Sequence, residues 1–144
     1  MNFISYCCCD REKYSAIFEK WVALAEVVKM SEEDWRWLYG ANRHPRELLN
    51  YGPAVVILTR GEHGLSGMYK SETIDVPGRK VAVIDTVGAG DTVGAILLEA
   101  ISQVGVSGLI ENLEKVLERA AKAAAITCSR AGAQPPTKVE IEEF

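Results

Sequence analysis

Histidine and cysteine are scarce in this chain of 144 residues, which has two histidines and four cysteines, three of the latter in the run Cys7-Cys8-Cys9. Three consecutive side chains alternate in direction whatever the backbone does. With C-x-x-C pairs also missing, the pattern fits neither a zinc site nor a secreted disulfide framework. Reduced thiols are the simple expectation for these three and for Cys128. Positive charge is also short: 16 Lys plus Arg stand against 20 Asp plus Glu, a net charge of -4. That balance offers no electrostatic footprint for nucleic acid or anionic lipid. No apolar run reaches the roughly 18 residues a membrane helix needs. Residues Met1 to Asp10 lack the positive flank and small-residue cleavage site of a secretory leader. The expectation is a cytoplasmic protein with no nucleic-acid and no membrane partner. The 48% apolar and 25% charged composition excludes a disordered or fibrous chain and suits one globular α/β unit.

Residues 11 to 28 place Tyr14, Ile17, Phe18, Trp21, Leu24, Ala25 and Val28 at helical spacing, with Asp10 as the N-cap. Val27 to Met30 then switches to a short strand. Ser31 followed by Glu32, Glu33 and Asp34 predicts a capped short helix closed by Gly40, and His44 to Asn50 predicts another. The β-branched run Ala54 to Thr59 reads as a strand buried on both faces, as in a parallel sheet. Gly61, Gly64 and Gly67 mark a turn into an edge-like stretch, Met68 to Val76, and Val81 to Ile84 is a further strand candidate. A helix opens at Gly88 and runs to about Val104, with Val93, Ile96, Leu97, Leu98 and Ile101 on its apolar face. Residues 109 to 128 form a last helix, and the tail from Arg130 to Phe144 is expected to be irregular. Three or four strands are few for a sheet of this kind.

The sharpest local signal is Asp85-Thr86-Val87-Gly88-Ala89-Gly90-Asp91, placed between a strand candidate and a helix. Small residues let backbone N–H groups turn toward one point, and the positive end of the helix dipole adds to them. Such a pocket holds a phosphate or a transferring phosphoryl group, and Asp91 beside it can accept a proton from an attacking hydroxyl. A plain strand-to-helix turn, with Asp91 merely complementing the dipole, explains the same letters. The G-x-x-x-x-G-K-[ST] loop is absent, and Gly88, Gly90 and Gly94 miss the dinucleotide fingerprint by one residue.

The string D-T-V-G-A-G-D resembles the C-terminal signature of the ribokinase-like, PfkB-type carbohydrate kinases. Three further stretches are similar to that family, in the right order. Val28-Lys29-Met30-Ser31-Glu32-Glu33-Asp34 resembles its N-x-x-E region, Thr59-Arg60-Gly61-Glu62-His63-Gly64 its nucleotide-binding T-x-G-x-x-G turn, and Arg130-Ala131-Gly132-Ala133-Gln134-Pro135 its C-terminal loop. The tail and the V-K-M-S-E-E-D-W stretch look most like bacterial fructokinases. The resemblance implies a ribokinase-like α/β fold, a doubly wound and mainly parallel sheet flanked by helices. Residues 1 to 144 would be its C-terminal half, lacking the N-terminal half with the sugar-binding residues and lid strands.

The same resemblance implies ATP-dependent phosphorylation of a sugar hydroxyl, fructose first among the acceptors. Asp91 would be the catalytic base, and the backbone of Gly88, Ala89 and Gly90 the anion hole. Thr59, Arg60, Gly61, Glu62, Gly64 and Ser31 would lie along ATP. Asp34, at the position of the family glutamate, would organise Mg2+ through water. Ser31 stands where the family often has Asn, and an N-cap with first-turn acids accounts for the same residues. Asp85 and carbonyls around Thr127 to Gly132 would bind K+. The implied partners are ATP and a small sugar, together with a second copy of the chain or a complementing N-terminal fragment that covers the open sheet edge. An inactive or partner-completed nucleotide-binding fragment is the alternative.

Overall fold

The computed structural model describes residues 11–144, so Cys7, Cys8, Cys9 and the Asp10 cap lie outside the described residues. A first helix, α1 (Arg11–Val22), leads into strand β1 (Val27–Ser31) and helix α2 (Glu32–Tyr39). A 3-10 helix, Pro45–Tyr51, precedes β2 (Val55–Thr59), and a 3-10 turn at Gly61–His63 connects it to the hairpin β3 (Leu65–Tyr69) and β4 (Glu72–Val76). Helices α3 (Ala89–Glu111), α4 (Leu113–Cys128) and α5 (Lys138–Glu143) complete the chain.

The sheet order is β1-β2-β3-β4. β1 and β2 are parallel, with Ser31 opposite Thr59, whereas β2–β3 and β3–β4 are antiparallel. The α/β class is as expected; the four described strands make a mixed sheet rather than a mainly parallel one, because a short turn after β2 can only return the chain antiparallel. β2 is central and buried over Val55 to Leu58, which is why its sequence is apolar on both faces. Val55 and Ile57 pack with Leu109, Leu113 and Leu117 on one side of the sheet. Val56 and Leu58 pack with Val28, Met30, Trp35, Leu38 and Leu48 on the other. This sandwiches the sheet between α3/α4 and α1/α2.

Several expectations need correction. The periodicity of residues 11 to 28 overruns α1, which ends at Val22; Leu24 is 87% exposed and Trp21 67%, because pairing with β2 draws residues 27 onward into the sheet. Val81 to Ile84 forms no strand. Its end instead turns toward α4, where the Ile84 and Asp85 amides donate to the Cys128 carbonyl at 2.8 and 3.2 Å and so cap that helix. Gly67 lies inside β3 rather than in a turn, and Met68 to Val76 spans two strands. α3 continues to Glu111 across a break at Gly105 (φ 70°). With a mean hydropathy of 1.7 over its best window, α3 is long and apolar enough to cross a membrane, although its apolar residues are interrupted by small and polar ones and form no unbroken run; it packs Val93, Ile96 and Leu97 into the core. The tail is not wholly irregular either: Thr137 caps α5 in a reciprocal box with Glu140.

Candidate active site

Because β1 and β2 run in parallel, their carboxyl ends open on the same side, the usual place for a ligand in an α/β sheet. Ser31 and Thr59 end the two strands as register partners. Ser31 caps α2: its Oγ accepts the Asp34 amide at 3.0 Å and donates to Asp34 Oδ2 at 2.6 Å. One oxygen of Asp34 therefore serves the cap.

The start of α3 is joined to this edge by a residue to which the motifs assign no role. Lys29 lies on the face of β1 opposite the buried Val28 and Met30, and its Nζ donates to the Gly90 carbonyl at 2.9 Å. Burial pulls the Lys29 pKa below its ordinary value, while the negative charges of Asp91 and Asp34 oppose that shift. Lys29, Asp34, Gly90 and Asp91 thus converge, although they come from three elements. The sequence carried one clue, a lysine inside an otherwise apolar strand.

Gly88 takes a left-handed conformation (φ 83°) as the N-cap of α3, and a Cβ there would lie 2.8 Å from that of Ala133. Two demands, the turn and the close approach of the C-terminal loop, fix glycine at this position. Of the three amides expected to form an anion hole, that of Ala89 donates to the Thr86 carbonyl at 3.3 Å. Those of Gly88 and Gly90 have no protein acceptor among the described residues. Asp91 follows in the first turn and is exposed.

Two buried hydroxyls hold the turn from behind. Thr92 Oγ1 lies 2.9 Å from the Gly88 carbonyl and 2.9 Å from Thr127 Oγ1, which is 3.1 Å from the Ala123 carbonyl. Each hydroxyl has one proton, so two of these three contacts are hydrogen bonds at any instant. Thr127 is fully buried, and the pair fastens the start of α3 to the end of α4. Asp85 adds a second fastening: Oδ1 accepts the Val87 amide and Oδ2 the Gly132 amide, each at 3.0 Å. These amides hold the Asp85 carboxyl below the usual carboxylate range.

The T-x-G-x-x-G stretch forms a 3-10 turn beyond β2. Gly61 and Glu62 are exposed, and no hydrogen bond ties them to the G-A-G-D turn among the described residues. Gly64 is packed, since a Cβ there would come within 2.0 Å of the Val76 carbonyl oxygen. The Arg60 side chain leaves this region: Nη2 pairs with Asp75 at 3.0 Å. It borders a cavity of about 420 Å3 with Trp35, Leu58 and Met68, which none of Ser31, Asp34, Gly88 or Asp91 lines.

Among the described residues, no group of three or more His, Cys, Asp or Glu side chains is placed to hold a metal ion. Asp34 keeps one oxygen outside the cap, enough to meet a magnesium ion that arrives with phosphates and its own waters. Asp85 spends both oxygens on amides and acts as a loop clasp.

Comparison with known proteins identifies the family and the fold. The pattern of the pfkB family carbohydrate kinases matches residues 8–140. Fructokinase from Escherichia coli is 30% identical over 125 residues, covering 83% of this chain and 41% of that protein. Probable fructokinase-4 from Arabidopsis thaliana is 34% identical over 127 residues, covering 83% and 39%. Fructokinase from Vibrio cholerae O395, solved with fructose, ADP and calcium ion, superposes with a TM-score of 0.80 at 27% identity, over 92% of this chain and 45% of that one. The chain therefore spans less than half the length of these relatives. Matched over most of its own length, it belongs to the pfkB family of carbohydrate kinases.

Proposed function

We propose that this chain carries the phosphoryl-transfer part of an ATP-dependent sugar kinase, with fructose as the first acceptor to test. The observation that carries the reading is the meeting of Asp91 and the first-turn amides of α3 with the carboxyl end of β1, tied by Lys29. Asp91 takes the proton of the sugar hydroxyl as its oxygen attacks the γ-phosphorus and the bond to the bridging oxygen of ADP breaks. The amides of Gly88 and Gly90, spaced by Ala89, receive the charge on the transferring group. Thr59 and Gly61, with the Arg60 and Glu62 backbone, form the surface for the nucleotide phosphates and ribose, and the buried Gly64 allows the turn beneath it. Mg2+ bound with ATP would neutralise phosphate charge, with Asp34 and the Ser31 end of β1 meeting it through water.

A second reading, a nucleotide-binding module completed by another polypeptide, is favoured by the exposure of Asp91. Both readings require nucleotide binding. Thermal unfolding of the purified chain should shift upward by about 5–10 °C at a MgATP concentration 100 times its Kd. A coupled assay for ATP-dependent fructose phosphorylation then separates them: turnover by the chain alone favours the first, and turnover only with a complementing fragment the second. No shift with MgATP or MgADP, and no turnover, overturns both.

A further inference from the structure

The Arg60 guanidinium points away from the nucleotide turn and takes no part in phosphoryl transfer. It enters instead the cavity of about 420 Å3 between α2 and the β3–β4 hairpin, on the face of the sheet that carries Leu58 and Met68. A guanidinium has five N–H donors in a planar fork. Both polar contacts of Arg60 among the described residues use Nη2, to Asp75 Oδ1 at 3.0 Å and to the Leu65 carbonyl at 3.3 Å. The donors on Nη1 and Nε remain, and Nε is buried with no acceptor among the described residues. A buried donor without a partner costs free energy that an arriving acceptor restores.

The cavity combines the two surfaces of a small-molecule site, and its volume lies in the range of about 300–1,000 Å3 usual for one. Its floor is apolar, lined by the buried Trp35, Leu58 and Met68. Its rim is charged: Arg36, Arg43 and Arg60 stand against Glu32 and Asp75, an excess of one positive charge with His44 counted neutral. Arg36 pairs with Glu32 at 3.1 Å, and Arg43 with Glu47 at 2.8 Å. The unfilled donors of Arg60 are the anchor beside the apolar floor.

We propose that this cavity binds a small organic carboxylate with an apolar body, such as an aromatic acid. The carboxylate accepts from Nη1 of Arg60 and, as the guanidinium turns toward it, from Nε. The body lies on Trp35, Leu58 and Met68, where an indole and a thioether both favour a flat ring. One excess positive charge matches one carboxylate, whereas Glu32 and Asp75 on the same rim disfavour a doubly charged phosphate. Ser31, Asp34, Gly88 and Asp91 line no part of this cavity, so the site is separate from the proposed catalytic centre and does not depend on the phosphoryl-transfer reading.

The test titrates the purified, nitrogen-15-labelled chain with sodium benzoate at constant ionic strength, with benzyl alcohol as the uncharged counterpart. The reporters are the NMR signals of the Ser66 and Thr73 amides and of the Trp35 indole N–H, which donates to the Arg43 carbonyl at 3.2 Å. Benzoate should shift them saturably with a Kd of about 1 mM or tighter, and benzyl alcohol should bind about tenfold or more weakly. Arg60→Met should weaken benzoate binding about tenfold to a hundredfold, the range of a hydrogen bond to a charged group. Ala41→Phe, at an exposed lining position, fills part of the cavity while keeping every charge; it should weaken binding too, and covers the case in which Arg60→Met fails to fold. The proposal is overturned by no saturable shift of these signals with benzoate, by equal affinity for benzyl alcohol, or by unchanged benzoate affinity in both variants. Inorganic phosphate binding at these signals more tightly than benzoate overturns the assignment to a carboxylate.

Discussion

Gly67 offers a test of how α4 reaches the sheet. It sits in β3 opposite Ile57 and Ile74. A Cβ built there would meet Leu113 Cδ2 at 2.8 Å and Leu117 Cδ1 at 2.9 Å, and both leucines are essentially fully buried. Gly67→Ala therefore has two opposed effects. Replacing a strand glycine gains about 0.5–1 kcal/mol of backbone entropy. Forcing a methyl against two packed leucines costs about 1–3 kcal/mol, and the upper part of that range is avoided because the colliding atoms are side-chain ends that can rotate. The net expectation is a loss of about 1 kcal/mol, or about 2–4 °C in Tm for a domain of this size. Leu117→Ala alone should cost about 2–5 kcal/mol through the cavity it leaves. When the two are combined, the methyl introduced by Gly67→Ala is freed of its contact with Leu117 and fills part of that cavity, while Leu113 Cδ2 still lies at 2.8 Å, so the double variant should be less destabilised than the sum by about 0.5–1 kcal/mol. Urea unfolding followed by tryptophan fluorescence, read as a double-mutant cycle, measures this. Strict additivity, or a stabilising Gly67→Ala, would refute the claim that the glycine exists to admit the leucines.

Asp85 predicts a pH effect with a definite sign. Its folded-state pKa is depressed by the Val87 and Gly132 amides, so its contribution is present above the unfolded carboxylate pKa and disappears as pH falls through the folded one. The Tm difference between wild type and Asp85→Asn should therefore shrink on acidification below about pH 4; a difference that stays constant from about pH 7 to about pH 3 contradicts the clasp. Gly88→Ala must strain a left-handed residue and push the Ala133 backbone, 3.1 Å from the new Cβ at its Cα. A loss of about 2–4 kcal/mol, with faster amide exchange over residues 130 to 134, is expected, and unchanged exchange there would count against it.

The parts visible in the sequence were those in which one short stretch contains its own reason. The run at 55 to 59 is apolar on both faces because it is central. Ser31 and Asp34 form a cap within four residues, and the G-A-G-D glycines sit where a strained turn needs them. What stayed hidden depends on partners distant in the chain. Leu24 fits the helical period but sits past the helix end, because β1 is claimed by β2, 28 residues later. The largely β-branched residues 81 to 84 have strand propensity yet pair with no strand among the described residues; propensity gives way to the cap that the Ile84 amide, with that of Asp85, supplies to α4. Lys29 could be seen as an oddity, but its role depends on α3 arriving beside it, 61 residues on. The tail's Thr137–Glu140 box is a local signal too, but the adjacent Pro135-Pro136 pair points toward irregular structure and masks it.

Asp85 accepts bonds from two amides 45 residues apart, one just before the left-handed glycine and one in the loop after α4. A single carboxylate thus makes the two segments share one position, and neither can shift without breaking or dragging a bond to the other. Loading at the first turn of α3 is mechanically felt at Gly132, and restraint of the loop around Gly132 steadies that turn. The two loops respond as one body.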